Sequence, residues 1–420
     1  MAELALNDRI LEAEDGIPLK TKLARATRRQ RIRALLLVAP LLVFIFFSFI
    51  WPIGIMLLRS VHSPDFGLIM HRTSTALAQW DERDLPGEET WKALVDDLKE
   101  ARENQTIGKA ATVVNFERPA ARSLFTKSAR RADKITEGPY REALLEVDDG
   151  WSDPTLWALM KRLSDPYTER FFLNAVDLQH DDTGAVVAQD ELRQIYVQLF
   201  TRTAWMSALV TVMCLLLGYP VAYLLSVLPL RTSNLLMIFV LLPFWTSLLV
   251  RTTAWIALLQ THGVINDVLV WIGVISDANR VQMIFNATGT VIAMTHILLP
   301  FMILPLYSVM KTIPPSYMRA ARSLGADQFT AFTRVYMPQT LPGVGAGCIL
   351  VFILAIGYYI TPALVGGESG TMISNMIAYH MQKSLNWSLA AALATLLLGG
   401  VLVLYWLYNR VVGVDNMKLG

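Results

Sequence analysis

The sequence withholds carboxylates from its most apolar parts. Six stretches, Ala34–Leu58, Ala204–Leu228, Leu235–Leu258, Met283–Val309, Val344–Val365 and Trp387–Val412, contain no Asp or Glu. Cysteine is almost missing: Cys214 and Cys348 both fall inside apolar runs, which excludes a disulfide framework and leaves no zinc spacing. There is no G-x-x-x-x-G-K-[ST] loop to cradle phosphates, so the chain is not expected to hydrolyse ATP, and no H-E-x-x-H or G-x-S-x-G to serve a hydrolase. A net charge of +2 gives no case for nucleic acid. His296 is the only histidine in the six stretches, which leaves little for a proton relay. Sodium could still be held by carbonyls, so an ion-coupled secondary carrier stays open as an alternative.

What remains is apolar and segregated. Of 420 residues 54% are hydrophobic and 17% charged, with a mean hydropathy of +0.41; soluble domains carry about a quarter charged residues. Residues 63–199 hold 25 of the 35 acidic and 17 of the 37 basic residues. A soluble, slightly acidic insert therefore interrupts a nearly uncharged body. Each of the six stretches approaches or exceeds the roughly 20 apolar residues needed to cross hydrocarbon as a helix.

Charge bias orients the spans. Lys20, Lys22, Arg25, Arg28, Arg29, Arg31 and Arg33 precede the first stretch with no acid among them, so this flank is expected in the cytoplasm. The stretch is too long for a signal-peptide core and reads as an uncleaved anchor. Counting outward gives a basic cytoplasmic N-terminus (1–33), a first span (34–58), an external insert (59–200), a body of five further spans (201–412) and a cytoplasmic tail (413–420). Arg231, the loop with Lys311, Arg319, Arg322 and Arg334, and the tail with Arg410 and Lys418 all fall inside. Pro220, Pro243, Pro300, Pro305 and Pro362 lie in or beside spans, as packing kinks or beside a wet cavity.

The inner loop between spans four and five (311–343) is the most informative segment. Pro314 and Pro315 break the preceding helix, and Ser316 can cap a new one. Gly325 permits a reversal, and Asp327 can cap a second helix in which Phe329, Phe332, Val335 and Tyr336 recur near helical spacing. Pro338 is expected to end it. Ala320 and Ala321 leave room for a partner. On its own such a hairpin is equally an amphipathic interfacial loop.

Its spacing resembles the EAA loop of binding-protein-dependent ABC importers: Ala320, Ala321, Gly325 and Pro338 match in register, with Val335 a mild substitution and Arg319 in place of the family's glutamate. Leu242–Trp255 with Gly263–Asn266, and Leu350–Gly357 with Pro362–Gly367, are similar to the third- and fifth-span regions of polyamine (spermidine/putrescine)-type permeases. The resemblance covers the first span and about 200–412, but not the insert. It implies an all-α polytopic bacterial inner-membrane protein with six transmembrane helices and the type I importer (MetI-like) fold. The implied partners are a second permease subunit, two ATP-binding subunits carrying ATP and Mg, and a periplasmic substrate-binding protein, with no cofactor in this chain. The loop residues Arg319, Ala320, Ala321, Gly325, Asp327, Phe329, Val335 and Pro338 would then couple the ATPase to the spans.

For the substrate pathway the candidates are Trp245, Arg251, Trp255, Tyr358, Tyr359 and Glu368. Arg251 is placed about 24 Å along span three at 1.5 Å per residue, near the outer interface, where snorkelling, structural pairing or substrate contact each account for it. Trp245 and Trp255 serve as interface anchors or as cation-binding rings. Tyr358 and Tyr359 are expected in mid-span, and Glu368 at the outer mouth. A polyamine or a related amino-acid derivative is the implied solute. The insert is a structural cap, a receiver for the binding protein, or, under another alternative, the sensing domain of a membrane receptor.

Overall fold

The computed structural model describes residues 19–181 and 184–412; the expectations for 1–18 and for the tail 413–420, Lys418 included, lie outside them. Six helical segments are long and apolar enough to cross a membrane: Gln30–Arg59, Tyr196–Val227, Leu248–Trp271, Ala287–Thr312, Gln328–Gly357 and Trp387–Arg410. The first belongs to a separate unit that ends at Leu58.

Prolines shape these helices in two ways. Before Pro52 and again before Pro338 the chain makes a π turn, Phe46–Ile50 and Phe332–Tyr336. Trp51 N–H donates to Phe46 O and Met337 N–H to Phe332 O, five residues back rather than four. The wider turn makes room for a ring that would otherwise meet the carbonyl four residues earlier. Pro338 therefore does not end the second hairpin helix as its residue type suggests. That helix runs on through Met337–Gly357 as span five.

Elsewhere the chain breaks. The expected span Leu235–Leu258 is two helices, Leu230–Leu241 and Leu248–Leu259, separated by a 3-10 turn at Leu242–Trp245. Pro243 lacks the donor needed to continue, and the Ser247 Oγ accepts from Val250 N–H at 3.3 Å to start the next helix. The stretch Val344–Val365 is likewise divided: the helix stops at Gly357, and a short helix, Ile360–Val365, follows. Tyr358 and Tyr359 thus sit at a break rather than within a continuous helix.

Tyr196–Val227, Ala287–Thr312 and Met337–Gly357 form the centre of the membrane body around Val210, Cys214, Met294, Leu298, Met302, Leu306, Val351 and Ala355. Glycines bring the backbones together. A Cβ on Gly347 would lie 2.7 Å from Met302 Sδ, and one on Gly218 3.1 Å from Met302 Cγ. Small residues at helix crossings substitute for a hydrophobic driving force, which lipid cannot supply.

The insert is a bundle of short helices with a core of its own, from Phe66 to Leu163. Trp91, Trp151 and Trp157 are fully buried, with ring centroids 4.6 Å (Trp91–Trp157) and 5.6 Å (Trp151–Trp157) apart. Every indole N–H finds an acceptor: Pro86 O at 2.9 Å, Ser128 Oγ at 2.8 Å and Trp151 O at 2.9 Å. The bundle's two ends meet. His62 and Tyr167 form an antiparallel bridge, Ser63 N–H donates to Pro166 O and Thr168 N–H to Val61 O, both at 2.8 Å. After this stalk, Phe171 and Ala175 join Tyr196 and Leu199 against Ile373, Leu389 and Leu393 of the membrane body. The Asp177 carboxylate accepts from the N–H groups of Ile195, Tyr196 and Val197 and so caps the second long helix.

Asp97 is the buried acid of the bundle. It accepts from the Thr73 N–H and Oγ, both at 2.7 Å, and burial nevertheless holds its pKa above the usual carboxylate value. Asp97→Ala leaves the Thr73 donors unpaired and is expected to destabilise the insert by about 1–3 kcal/mol, read as earlier proteolysis within 65–165. Asp97→Asn keeps an acceptor without the charge and should lose less at pH 7. Because the folded-state pKa is raised, the wild type gains stability relative to Asp97→Asn as pH falls through that pKa.

Candidate functional site

Two places concentrate exposed or unsatisfied chemistry. They are linked to the helix Tyr196–Val227 at Tyr223 and at Thr203, about 30 Å apart at 1.5 Å per residue.

The first is the hairpin. Thr312 ends one long helix, and Ser316–Ser323 forms a short one whose N-cap is Pro315, with no side-chain cap from Ser316. Ser316 falls inside the helix because two successive prolines already supply the fixed φ that starts a helix. The turn that follows satisfies two orphan carbonyls: Ala326 N–H donates to Ala321 O and Gly325 N–H to Arg322 O, each at 3.1 Å. Gly325 carries a φ of +94°, and open space surrounds its Cα. Conformation, not crowding, therefore calls for glycine here. Asp327 accepts from Phe329 N–H at 3.1 Å and Thr330 N–H at 3.3 Å. Hydrogen bonds from Thr330, side chain first and then backbone, hold its carboxyl below the usual range.

The hairpin offers its surface outward. Leu324 is 90% exposed and Phe329 74%; Arg319 and Ala320 are exposed and Ala321 half-buried. Leu324 and the exposed Tyr317 were not among the residues singled out from the sequence. An apolar side chain beside the turn glycine, just after a helix that carries Arg319 and Arg322, was the signal for Leu324. Val335 is half-buried and Pro338 exposed, both past the tip. Behind the tip, Phe332 and Tyr336 stack with centroids 5.6 Å apart and meet Tyr223 edge-on at 5.4 and 5.3 Å. Tyr219 Oη lies 3.1 Å from Thr340 Oγ1, and Lys311 Nζ donates to Ser226 O at 3.2 Å. The hairpin is thus fastened to the ends of three long helices.

The second place is where the broken helices meet. Thr252 Oγ1 and Thr361 Oγ1 are 3.4 Å apart and join the helices that follow the two breaks. Arg251 lies in the first turn of its helix, and its Nε and Nη1 are enclosed without a hydrogen-bond partner among the described residues. Arg251 as a whole is only half-buried, and no side chain of the described residues pairs with it. Trp255, one helical turn beyond Arg251, donates its Nε1–H to His296 Nδ1 at 3.1 Å. Two carbonyls at the break have side-chain donors: Ser374 Oγ donates to Tyr358 O at 2.6 Å and Asn375 Nδ2 to Tyr359 O at 2.7 Å, the latter also accepting from Ala363 N–H at 3.0 Å. The structure therefore brings Trp255 and His296 together one turn from Arg251. Trp245, 87% exposed, and Glu368 make no hydrogen bond or ring contact with this group. The Glu368 carbonyl instead accepts from Arg202 Nη1 at 2.9 Å.

An all-α membrane body with a projecting hairpin at one end and an unpartnered cation among broken helices defines a transport permease. Residues 203–412 match the family model described as the binding-protein-dependent transport system inner membrane component, and the chain belongs to that family. It is 35% identical over 222 residues to the spermidine/putrescine transport system permease protein PotB of Escherichia coli strain K12, a match covering 52% of this chain and 80% of that one. The same identity over 222 residues is found with PotB of Salmonella typhi, covering 52% and 77%. The inner membrane ABC transporter permease protein YdcU of Escherichia coli K12 is 32% identical over 205 residues, covering 46% and 65%. Among solved structures, a chain of a bacterial ABC transporter involved in the import of the acidic polysaccharide alginate aligns with a TM-score of 0.44 and 19% identity, covering 55% of this chain and 82% of that one. The protein is a multi-pass inner-membrane permease subunit of an ABC transport system, with the MetI-like fold.

The satisfied break is testable. Ser374→Ala strips the Tyr358 carbonyl of its donor and is expected to cost about 1–3 kcal/mol, seen as a lower melting temperature of the detergent-solubilised protein.

Proposed function

We propose that this chain and a second permease subunit form the pathway of an ATP-driven importer for a small polar amine, a polyamine or a related amino-acid derivative. Two ATP-binding subunits, which carry ATP and Mg, drive it, and a periplasmic binding protein delivers the solute. The similarity to PotB supports the solute class. Both termini and the hairpin face the cytoplasm and the insert faces outward, following the basic flanks. The carrying observation is the hairpin: exposed Tyr317, Leu324 and Phe329 surround a turn held by Gly325, and the whole is fastened by Phe332 and Tyr336 to the helix Tyr196–Val227. Closure of the ATPase on such a handle moves helices rather than a loose loop.

Gly325→Val forces a β-branched residue to positive φ at about 1–2 kcal/mol or more, and Ala321→Trp fills the docking face. In the assembled transporter both are expected to reduce solute uptake at least tenfold while the chain still inserts in the membrane. Wild-type uptake by both variants, with the ATPase still bound, would remove the hairpin from coupling.

The insert receives the binding protein. Its support is the seating of Phe171, Ala175 and Tyr196, which follow the bundle in the chain, on Ile373 and Leu389. Because His62 and Tyr167 are paired, residues 64–165 can be replaced by a short Gly-Ser linker. The excised chain is expected to insert and to bind the ATPase, but to lose most of the stimulation of ATP hydrolysis by the loaded binding protein. Full stimulation would reduce the insert to a cap.

A further inference from the structure

We infer that the cavity where the insert's stalk meets the start of span six holds the phosphodiester of a membrane-lipid headgroup. Such a site needs only that the six spans lie in a bilayer, whatever the transported solute.

The stalk builds this cavity. Backbone pairing of Val61 with Thr168 and of Ser63 with Pro166 brings Arg59 and Arg170 to it. The seat of Phe171 against Leu389 brings the residues around the start of span six, Leu385 to Ser388. The cavity measures about 360 Å³, within the roughly 300–1,000 Å³ of small-molecule sites. Its depth follows from chain position. Arg59 is the last residue of the span Gln30–Arg59 and Trp387 the first of Trp387–Arg410, and span ends lie at the headgroups.

Positive charge dominates the lining. The Arg170 side chain is only 9% exposed, and Glu117 lies 3.5 Å from its Nη1, the outer limit of a hydrogen bond. The Phe171 ring lies 4.5 Å from its guanidinium carbon, and its Nε is enclosed with no acceptor among the described residues. Desolvation outweighs Glu117 and holds the guanidinium's pKa below its usual value. A buried cation so thinly paired calls for a further anion. Arg59 is exposed and has no ion pair among the described residues. Asp65 is the one carboxylate on the lining, so two guanidiniums leave an excess that the single charge of a phosphodiester matches. Span six adds its positive end. Trp387 and Ser388 line the cavity, and the Asn386 side chain starts their helix by accepting from Leu389 N–H at 3.2 Å. The same lining has apolar surface that a free phosphate does not need. Phe116, Leu385 and Trp387 are exposed there, and Leu385 is held at a φ of +55°, which a leucine adopts only under constraint. Glycerol and the first acyl carbons cover such a surface.

The assembled transporter, stripped of lipid in detergent, tests this by native mass spectrometry. It is titrated with phosphatidylglycerol, with a glucosyl diacylglycerol that lacks the phosphate, and with inorganic phosphate that lacks the chains. Phosphatidylglycerol is expected to fill one tight site, with the glycolipid and inorganic phosphate each at least tenfold weaker. Arg59→Gln and Arg170→Gln should each weaken that site by about 10- to 100-fold. Arg410→Gln, an exposed change at the other end of span six, should leave it unchanged. Should Arg170→Gln fail to assemble, the exposed Arg59→Gln decides alone. Equal binding of phosphatidylglycerol and the glycolipid, or a tight site indifferent to either cavity substitution, would overturn the inference. Inorganic phosphate held as tightly as the lipid would overturn it in favour of a soluble-phosphate site.

Discussion

Hydrocarbon offers no hydrogen bonds, so any interruption of a membrane helix must be satisfied from within the protein. This chain interrupts its spans repeatedly, and each interruption has its own internal answer. At Pro52 and Pro338 a π turn keeps the helix going while shifting its hydrogen bonds by one residue. Beyond Pro243 the Ser247 side chain restarts the helix. At Tyr358 and Tyr359 the side chains of Ser374 and Asn375 cover the freed carbonyls. The positions of the working parts follow from these solutions. The π turn at 332–336 precedes the join of the hairpin to span five, and the helices that follow the two breaks meet at Thr252 and Thr361, next to Arg251.

The hairpin and the breaks share the same long helices. Span five begins at the hairpin tip, passes through the Phe332–Tyr336 stack and ends at Tyr358. Tyr196–Val227 touches the hairpin through Tyr219 and Tyr223, and at its other end Thr203 Oγ1 accepts from Ile373 N–H at 2.8 Å, next to Ser374. On the coupling proposed for the hairpin, a displacement there would pass through these closely packed helices to the segment that holds the break carbonyls. Gly218 and Gly347, both against Met302, keep those helices near enough to move together.

Much of this was legible in the residues, where local chemistry decides. The spans follow from apolar length, the hairpin turn from Gly325 and its second helix from Asp327, because a positive φ and an N-cap are properties of one residue and its neighbours. Ser316 and Pro338 misled for the same reason. Each has a strong local meaning, and each was overridden by its surroundings: two adjacent prolines in one case, a widened turn in the other. Arg251 was illegible in a different way. Snorkelling, pairing and ligand contact all fit an arginine near a span end, and only the three-dimensional neighbourhood shows that its Nε and Nη1 are enclosed without a hydrogen-bond partner. The insert's stalk was equally hidden, since pairing of His62 with Tyr167 spans a hundred residues that no periodicity connects.

The stalk and the break bear on one another. An insert hung from paired ends and capped onto Tyr196 by Asp177 is a rigid extension of the helix that begins there. That same end of the membrane body carries the His380 imidazole, bonded to Tyr196 Oη and Ser384 Oγ at 2.8 Å each, on the helix Ile373–Gln382 that also supplies Ser374. On the proposed reading, a partner seated on the insert is linked through Tyr196 and His380 to the helix whose Ser374 donates to the Tyr358 carbonyl at the break.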